Sequence, residues 1–276
     1  MRFAFSLGVA ALALTLPVEA QTNAVHLAPH RAVYDLTLEN SKGARTIESA
    51  KGRIAFEFTG DSCEGYSLKY RQVTVLDSAE SGTKTSDIRT ANFESGDGKS
   101  FRFRNDTGSG GPATTTVDGN AERKSGGPVS VRLKSPKREA VALEAGAIFP
   151  NEQMKDVIAA AMAGRSTLSV KLFDGSDDGR TVYETLSVIG KRVEPGSGDS
   201  LEEAARQEGL AKLARWPVTM SYFKLGRVDG TPVYTLSFDL YENGVSRALR
   251  LDYGDFALRG AMSRLELLPD KGSCQR

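Results

Sequence analysis

Histidine is almost missing from this chain: His26 and His30 are the only two, both close to the start, and most catalytic schemes are left without a base. A Ser-His-acid triad would have to recruit His30, and no Gly-x-Ser-x-Gly stretch exists to present a nucleophile. A zinc site would need His26 and His30 together with distant carboxylates, and the two lie on no predicted helix, so no metal is expected there. Cysteine is equally scarce. Cys63 and Cys274 stand alone, with no Cys-x-x-Cys, which argues against a dithiol oxidoreductase. No excess of one charge is present either, since 36 Lys and Arg face 35 Asp and Glu, and a nucleic-acid partner is excluded on that balance. No cluster of Lys and Arg exceeds what a solvated sheet face carries. The 28 glycines are dispersed through turns, and none forms a phosphate-cradling loop ahead of a helix, so no cofactor is expected.

Long apolar runs are confined to the first residues. Arg2 supplies a positive start, Phe3 to Leu16 an apolar stretch, and Val18-Glu19-Ala20 the small residues that signal peptidase needs, so residues 1–20 read as a signal peptide cleaved after Ala20. The stretch is too short to span a bilayer and Pro17 follows it, so no membrane span is expected. The mature chain, 21–276, is then soluble and exported to the periplasm. In that oxidising compartment two lone cysteines most simply form one bridge, with two separate buried thiols as the alternative. A Cys63–Cys274 bridge would close almost the whole mature chain into one loop, worth about 5 kcal/mol in the chain-entropy model. Such an end-to-end closure favours a single domain.

Alternation of period two dominates the rest. Ala32 to Leu38, Ile54 to Phe58, Tyr66 to Val75, Thr85 to Phe93 and Ser100 to Arg104 read as half-buried strands of an antiparallel meander. Thr114 to Val117 with a turn at Asp118-Gly119, then Val129 to Leu133 and Ala140 to Leu143, continue it. One clear helix follows, capped by Asn151, striped by Met154, Val157, Ile158, Ala161 and Met162, and stopped at Gly164. Strands resume at Ser166 to Phe173 and Thr181 to Ile189, and Leu201 to Leu213 reads as a second helix broken at Gly209. Pro217 to Lys224, Pro232 to Tyr241, Val245 to Tyr253 and Phe256 to Leu268 complete the set, with Asn243-Gly244 the strongest hairpin signal. The fold class is mainly β: one long antiparallel sheet curled into a spiral or open barrel, with one or two helices packed against or inside it.

The remaining chemistry is thin. Glu94 with Asp97, or Asp252 with Asp255, could form the carboxylate pair of an envelope hydrolase, but all four also suit turns. Asp174, Asp177 and Asp178 invite a calcium reading, yet no Glu stands at the twelfth loop position and no helices flank the stretch, so a solvated turn is expected. Aromatic residues alternate within strands, which suits a core better than a ligand platform. A curled sheet can still enclose an apolar cavity, and binding is the main chemistry left open.

Several segments together carry a resemblance. They are Leu27 to Leu36, Cys63-Glu64-Gly65-Tyr66, Glu94 to Phe103, Phe173 to Asp177, Trp216-Pro217-Val218 with Ser221-Tyr222-Phe223, and the terminal Cys274. In this order they resemble the EipB-type cell envelope integrity proteins of Gram-negative α-proteobacteria, over essentially the whole mature chain. The resemblance implies a periplasmic β-spiral with a helix packed inside and a bridge between the two matching cysteines. It also implies an architecture similar to periplasmic lipoprotein carriers and a role in envelope integrity and envelope stress resistance. A functional connection with a tetratricopeptide-repeat periplasmic protein follows too, and no catalytic residue is carried over. Glu64 and Tyr66 depart from the Asp and Trp expected after the first cysteine. Two functional expectations stand beside it: a non-enzymatic protein that binds a protein partner or an apolar ligand, and a true lipid or lipoprotein carrier with a dry acyl-sized cavity.

Overall fold

The computed structural model describes residues 25–42, 47–110, 114–124, 127–197, 201–225 and 230–269; the expected signal peptide and Cys274 lie outside these. The first half of the chain gives β1 His30–Ser41, β2 Ile47–Asp61, β3 Gly65–Ser78, β4 Gly82–Ser95, β5 Ser100–Gly108, β6 Thr114–Arg123, β7 Pro128–Ser135 and β8 Glu139–Ala145. A two-residue β9, Ala147–Ile148, leads into helix α1, Pro150–Met162. Then come β10 Thr167–Leu172, β11 Tyr183–Ile189, a 3-10 turn Glu203–Ala205, a short helix α2 Glu208–Ala211, β12 Arg215–Lys224, β13 Tyr234–Tyr241, β14 Ser246–Asp252 and β15 Phe256–Leu267.

All fifteen strands belong to one sheet. Its order runs from β8 down to β1, then from β15 down to β9, so β1 lies antiparallel to β15 and the two ends of the strand series meet in the middle of the sheet. The two free edges, β8 and β9, are separated in the chain only by Gly146, which leaves the sheet curled and nearly closed, as expected of a spiral or open barrel. The pairing is antiparallel except between β9 and β10. Across the gap, Lys171 reaches Glu144 at 2.7 Å and Arg180 reaches Glu139 at 2.7 Å, so side-chain ion pairs stand where backbone pairing stops. Charged residues on β8 and the brevity of β9 also keep other chains from adding to these edges.

The period-two pattern reads directly into the core. In β7 the order buried, exposed, buried places Val129, Val131 and Leu133 inward, and β11 repeats it with Tyr183, Thr185, Ser187 and Ile189. Three apolar clusters fill the interior. The first surrounds α1, whose Val157, Ile158, Ala160 and Ala161 pack with Phe58 and Tyr66 from one wall and Trp216, Met220, Phe238 and Leu240 from the other. The second joins Tyr34, Leu36, Ile54, Leu251, Leu258 and Met262 under Leu210 of α2. The third stacks Phe101 on Phe149, at 5.2 Å between ring centroids, with Phe173 edge-on to Phe103 at 5.5 Å. The helix therefore lies inside the curl.

Local signals misplaced four features. Asp118-Gly119 is not a turn but the middle of β6, where a Cβ on Gly119 would stand 2.8 Å from the Phe103 ring and 2.9 Å from the Arg132 carbonyl; the glycine admits packing rather than bending the chain. The expected 201–213 helix forms only the 3-10 turn and α2, and the break falls before Gly209 rather than at it. Met162 does not join the buried stripe, being 53% exposed at the last helical position. Asn151 does not cap α1. Phe149 occupies the N-cap without a side-chain bond, and the free N–H groups of Asn151 and Glu152 donate instead to Glu94 on β4, at 2.7 and 3.1 Å. Gly164 does end the helix, with φ +71°.

Candidate functional site

The histidines and acidic residues singled out by the sequence do not assemble into a catalytic centre. His30 opens β1 with its ring stacked on Phe56 at 5.0 Å and its Nδ1 2.8 Å from the Ala28 carbonyl; burial pushes its pKa below the ordinary value, partly offset by that backbone contact. It is a neutral core imidazole. Glu94 is 4% exposed and faces the start of α1, whereas Asp97 sits in the exposed turn after β4, accepting from Ser95 Oγ and the Lys99 amide. Burial holds the Glu94 carboxyl up at about 7, against the pull of the two helix amides. Asp252 accepts from Arg250 and the Gly254 amide, and the Asp255 carbonyl accepts from the Lys42 amide. None of these four residues lines the cavities described below.

Among the described residues, no cluster of His, Cys, Asp and Glu could hold a metal ion. The stretch after β10 is instead held by its own backbone, with Asp174 accepting from the Ser176 amide at 2.9 Å and Asp178 from the Arg180 amide at 2.9 Å. Asp174 corrects the expectation of a solvated turn, because it is half-buried and forms part of a cavity wall.

Three concavities stand out. The smallest of them, about 140 Å³, lies at the N-terminal end of α1 among Leu27, Phe56, Phe58, Leu68 and Met154. The largest, about 700 Å³, is a groove on the outer face of the sheet. Its floor is made of small side chains, Val33, Ala55 and Ala91, and its walls carry six basic residues, Arg31, Lys69, Arg71, Arg89, Arg104 and Arg264, against Glu57, Asp106 and Glu266. Strand register creates this grouping, since Glu57 is paired with both Arg31 and Lys69, and Arg71 lies opposite Arg89. Acids here are shared. Glu57 accepts from Arg31 at 2.6 Å and Lys69 at 3.0 Å, while Asp87 binds Arg71 at 2.9 Å and Arg89 at 2.8 Å. The hydrogen bonds from Arg71 and Arg89 hold the Asp87 carboxyl down at about 2. Dividing one carboxylate between two cations leaves a positive surplus along the groove. The residues are scattered from position 31 to 264, so no linear cluster of basic residues announced it.

The third cavity, about 500 Å³, is a mouth lined by Tyr70, Tyr183, Tyr222, Tyr234 and Tyr253, with Gln72, Asp174, Asp177 and Lys224. Gln72 spans it, accepting from Tyr70 and donating to the Tyr253 hydroxyl at 3.2 Å, which ties β3 to the end of β14. Five of the eight tyrosines of the chain meet here, whereas the phenylalanines Phe101, Phe103, Phe149 and Phe173 are core. Aromatic alternation in the sequence thus hid two roles, and the phenol oxygen alone does not separate them, since Tyr34, Tyr66 and Tyr241 are core. Among the described residues no helix is long and apolar enough to cross a membrane.

Known proteins share this architecture. Residues 21–269 match the EipB-like family profile. The chain is 38% identical over 246 residues to the cell envelope integrity protein EipB of Brucella abortus (strain 2308), covering 89% of this chain and 86% of that protein. A crystal structure of a β-barrel-like protein of a domain of unknown function, from Brucella abortus, superposes with a TM-score of 0.80 at 37% identity, covering 89% of this chain and all of that one. With the family profile spanning nearly all of the described sheet, the chain belongs to the EipB-like family.

Proposed function

We propose that this chain is a non-enzymatic periplasmic protein that supports envelope integrity and resistance to envelope stress by binding a protein partner along its outer groove. The observation that carries the reading is the filled interior. Helix α1 and three apolar clusters occupy the space inside the curl; the apolar cavity at the start of α1, about 140 Å³, falls well short of the roughly 300–1,000 Å³ typical of small-molecule sites, and the larger tyrosine-lined mouth is not dry, with Gln72, Asp174, Asp177 and Lys224 in its lining. Among the described residues neither cavity is the dry, acyl-sized chamber that the lipid or lipoprotein carrier reading expects. The dispersed carboxylates, each engaged in a turn or a helix cap, give the hydrolase reading little support. The groove, with its positive surplus, suits an acidic segment of a protein, and the family resemblance suggests a tetratricopeptide-repeat periplasmic protein as the partner.

Export by cleavage after Ala20, one domain over 21–276, and a structural Cys63–Cys274 bridge belong to the same proposal. Continuity of the sheet from His30 to Leu267 supports the single domain. The role in envelope integrity follows the name of the Brucella abortus relative.

The test has two arms. Native mass of protein isolated from periplasm, before and after organic extraction, is expected to be that of the bare polypeptide; a removable lipid-sized mass would return the carrier reading. In a strain lacking the gene, the double variant R71E/R89E is expected to be exported and folded but unable to restore tolerance to envelope stress. Full restoration by that variant would refute binding along the groove.

A further inference from the structure

The tyrosine-lined mouth shares only Tyr70 with the outer groove and needs its own explanation. Its rings form a continuous row. Tyr183 stands 6.0 Å from Tyr222, Tyr222 5.8 Å from Tyr234, and Tyr234 5.2 Å from Tyr253, measured between centroids, with successive planes inclined by 82°, 50° and 48°. Rings inclined in this way bound a space with several faces rather than one flat platform. The hydroxyls of Tyr222 and Tyr234 have no hydrogen-bond partner among the described residues, so they are available to a guest.

The charges around the cavity do not cancel. Asp177 is neutralised by Lys224 at 2.7 Å, but Asp174 receives only local hydrogen bonds around Ser176 and has no cationic partner among the described residues. A half-buried carboxyl beside aromatic faces, with no basic side chain assigned to it, is an arrangement that a positively charged guest completes. Aromatic faces attract cations through the ring quadrupole, most strongly where water is excluded, and quaternary ammonium groups are characteristic guests of such cages. Anions are disfavoured by Asp174, and purely apolar guests would leave the free hydroxyls unpaired.

We propose that this mouth is a binding site for an alkylammonium group, held against the faces of Tyr183, Tyr222, Tyr234 and Tyr253 and next to the Asp174 carboxylate. Burial raises the Asp174 pKa, helped by the charge of Asp177, and an arriving cation favours the ionised carboxylate. Affinity therefore rises with pH. The other titratable groups facing Asp174 are Asp177, Lys224, Tyr183 and Tyr222.

The test is titration of the full mature chain with choline and with its neutral isostere, 3,3-dimethyl-1-butanol, followed by tyrosine ring resonances. Choline is expected to shift the rings of the mouth and to bind about tenfold or more tightly than the isostere, the difference that charge contributes. Y222L is expected to weaken choline about fivefold, while Y222F, which keeps the ring, retains binding. D174N is expected to weaken it and flatten its pH dependence, and a folded Y222F control separates loss of site from loss of fold. Equal binding of choline and the isostere, or no response of these rings to millimolar choline, overturns the proposal. Vesicles of phosphatidylcholine, compared with phosphatidylglycerol, distinguish the source. Co-sedimentation with the former alone, together with choline binding, supports a lipid headgroup; choline binding without co-sedimentation supports a soluble or peptide-borne ammonium.

Discussion

Replacing Glu94 by glutamine isolates the cost of placing a carboxyl under the first turn of α1. In the folded protein burial holds this carboxyl up at about 7, above its ordinary 4.5, despite hydrogen bonds from the amides of Asn151 and Glu152. The unfolded chain releases the proton near 4.5 and the folded chain retains it until about 7, so the folded state binds more protons between those values. Stability from this group is complete below about 4.5 and is lost as pH rises through 7. At about 1.4 kcal/mol per pH unit, the interval amounts to about 3 kcal/mol. Glutamine cannot titrate. It also aims an NH2 group at one of the two helix amides, a cost that does not depend on pH. Urea unfolding of both proteins at pH 4 and pH 8 therefore gives a double difference: the variant should gain about 3 kcal/mol on the parent between the two pH values. His30 works in the opposite direction, since its lowered pKa costs stability as pH falls below the ordinary 6.5, but it is present in both proteins and cancels. Parallel pH profiles for parent and E94Q would refute the reasoning.

Further outcomes follow from other buried contacts. Glu202 accepts from Arg247 and from the Ala248 amide at 3.0 Å, and Arg247 also meets Asp239 at 2.7 Å; E202A is expected to cost about 3 kcal/mol in urea unfolding, because it strips a buried guanidinium of a partner. A thermal melt unchanged in E202A would show that the cluster relaxes. G119A drives a Cβ toward Phe103 and the Arg132 carbonyl and should destabilise by about 1–3 kcal/mol, whereas alanine at Gly146, which would have nothing within contact, should owe any loss only to its φ of +85°. Equal melting temperatures for the two variants would contradict the packing account. C63S is expected to lower stability by about 2–5 kcal/mol in the oxidised protein. Reduction of the parent should mimic it, and a parent insensitive to reductant would remove the structural role of the proposed bridge.

Period-two burial, hairpin turns such as Asn243-Gly244 and chain order are local, and the sequence alone was enough for them. A strand such as Val129 to Leu133 announces its inner face because side chains alternate, and Asn243-Gly244 announces its hairpin because the glycine takes φ +86°. Helix α1 was legible for the same reason, through its buried Val157, Ile158 and Ala161. Charge balance and the scarcity of histidine offered no catalytic centre to look for. What depends on residues distant in the chain could not be read this way. The cap of α1 comes from Glu94, more than fifty positions away, and no local rule could prefer it to Asn151. Gly119 looked like a turn because a glycine that admits a neighbouring ring and one that reverses the chain are the same letter. The outer groove and the tyrosine mouth are products of register and curl: pairing sets Arg71 beside Arg89, and only closure of β1 onto β15 brings Tyr70 and Gln72 within reach of Tyr253. Sequence determined which side of each strand faces inward; tertiary structure decided which inward and outward faces meet, because that depends on how fifteen twisted strands close around one helix.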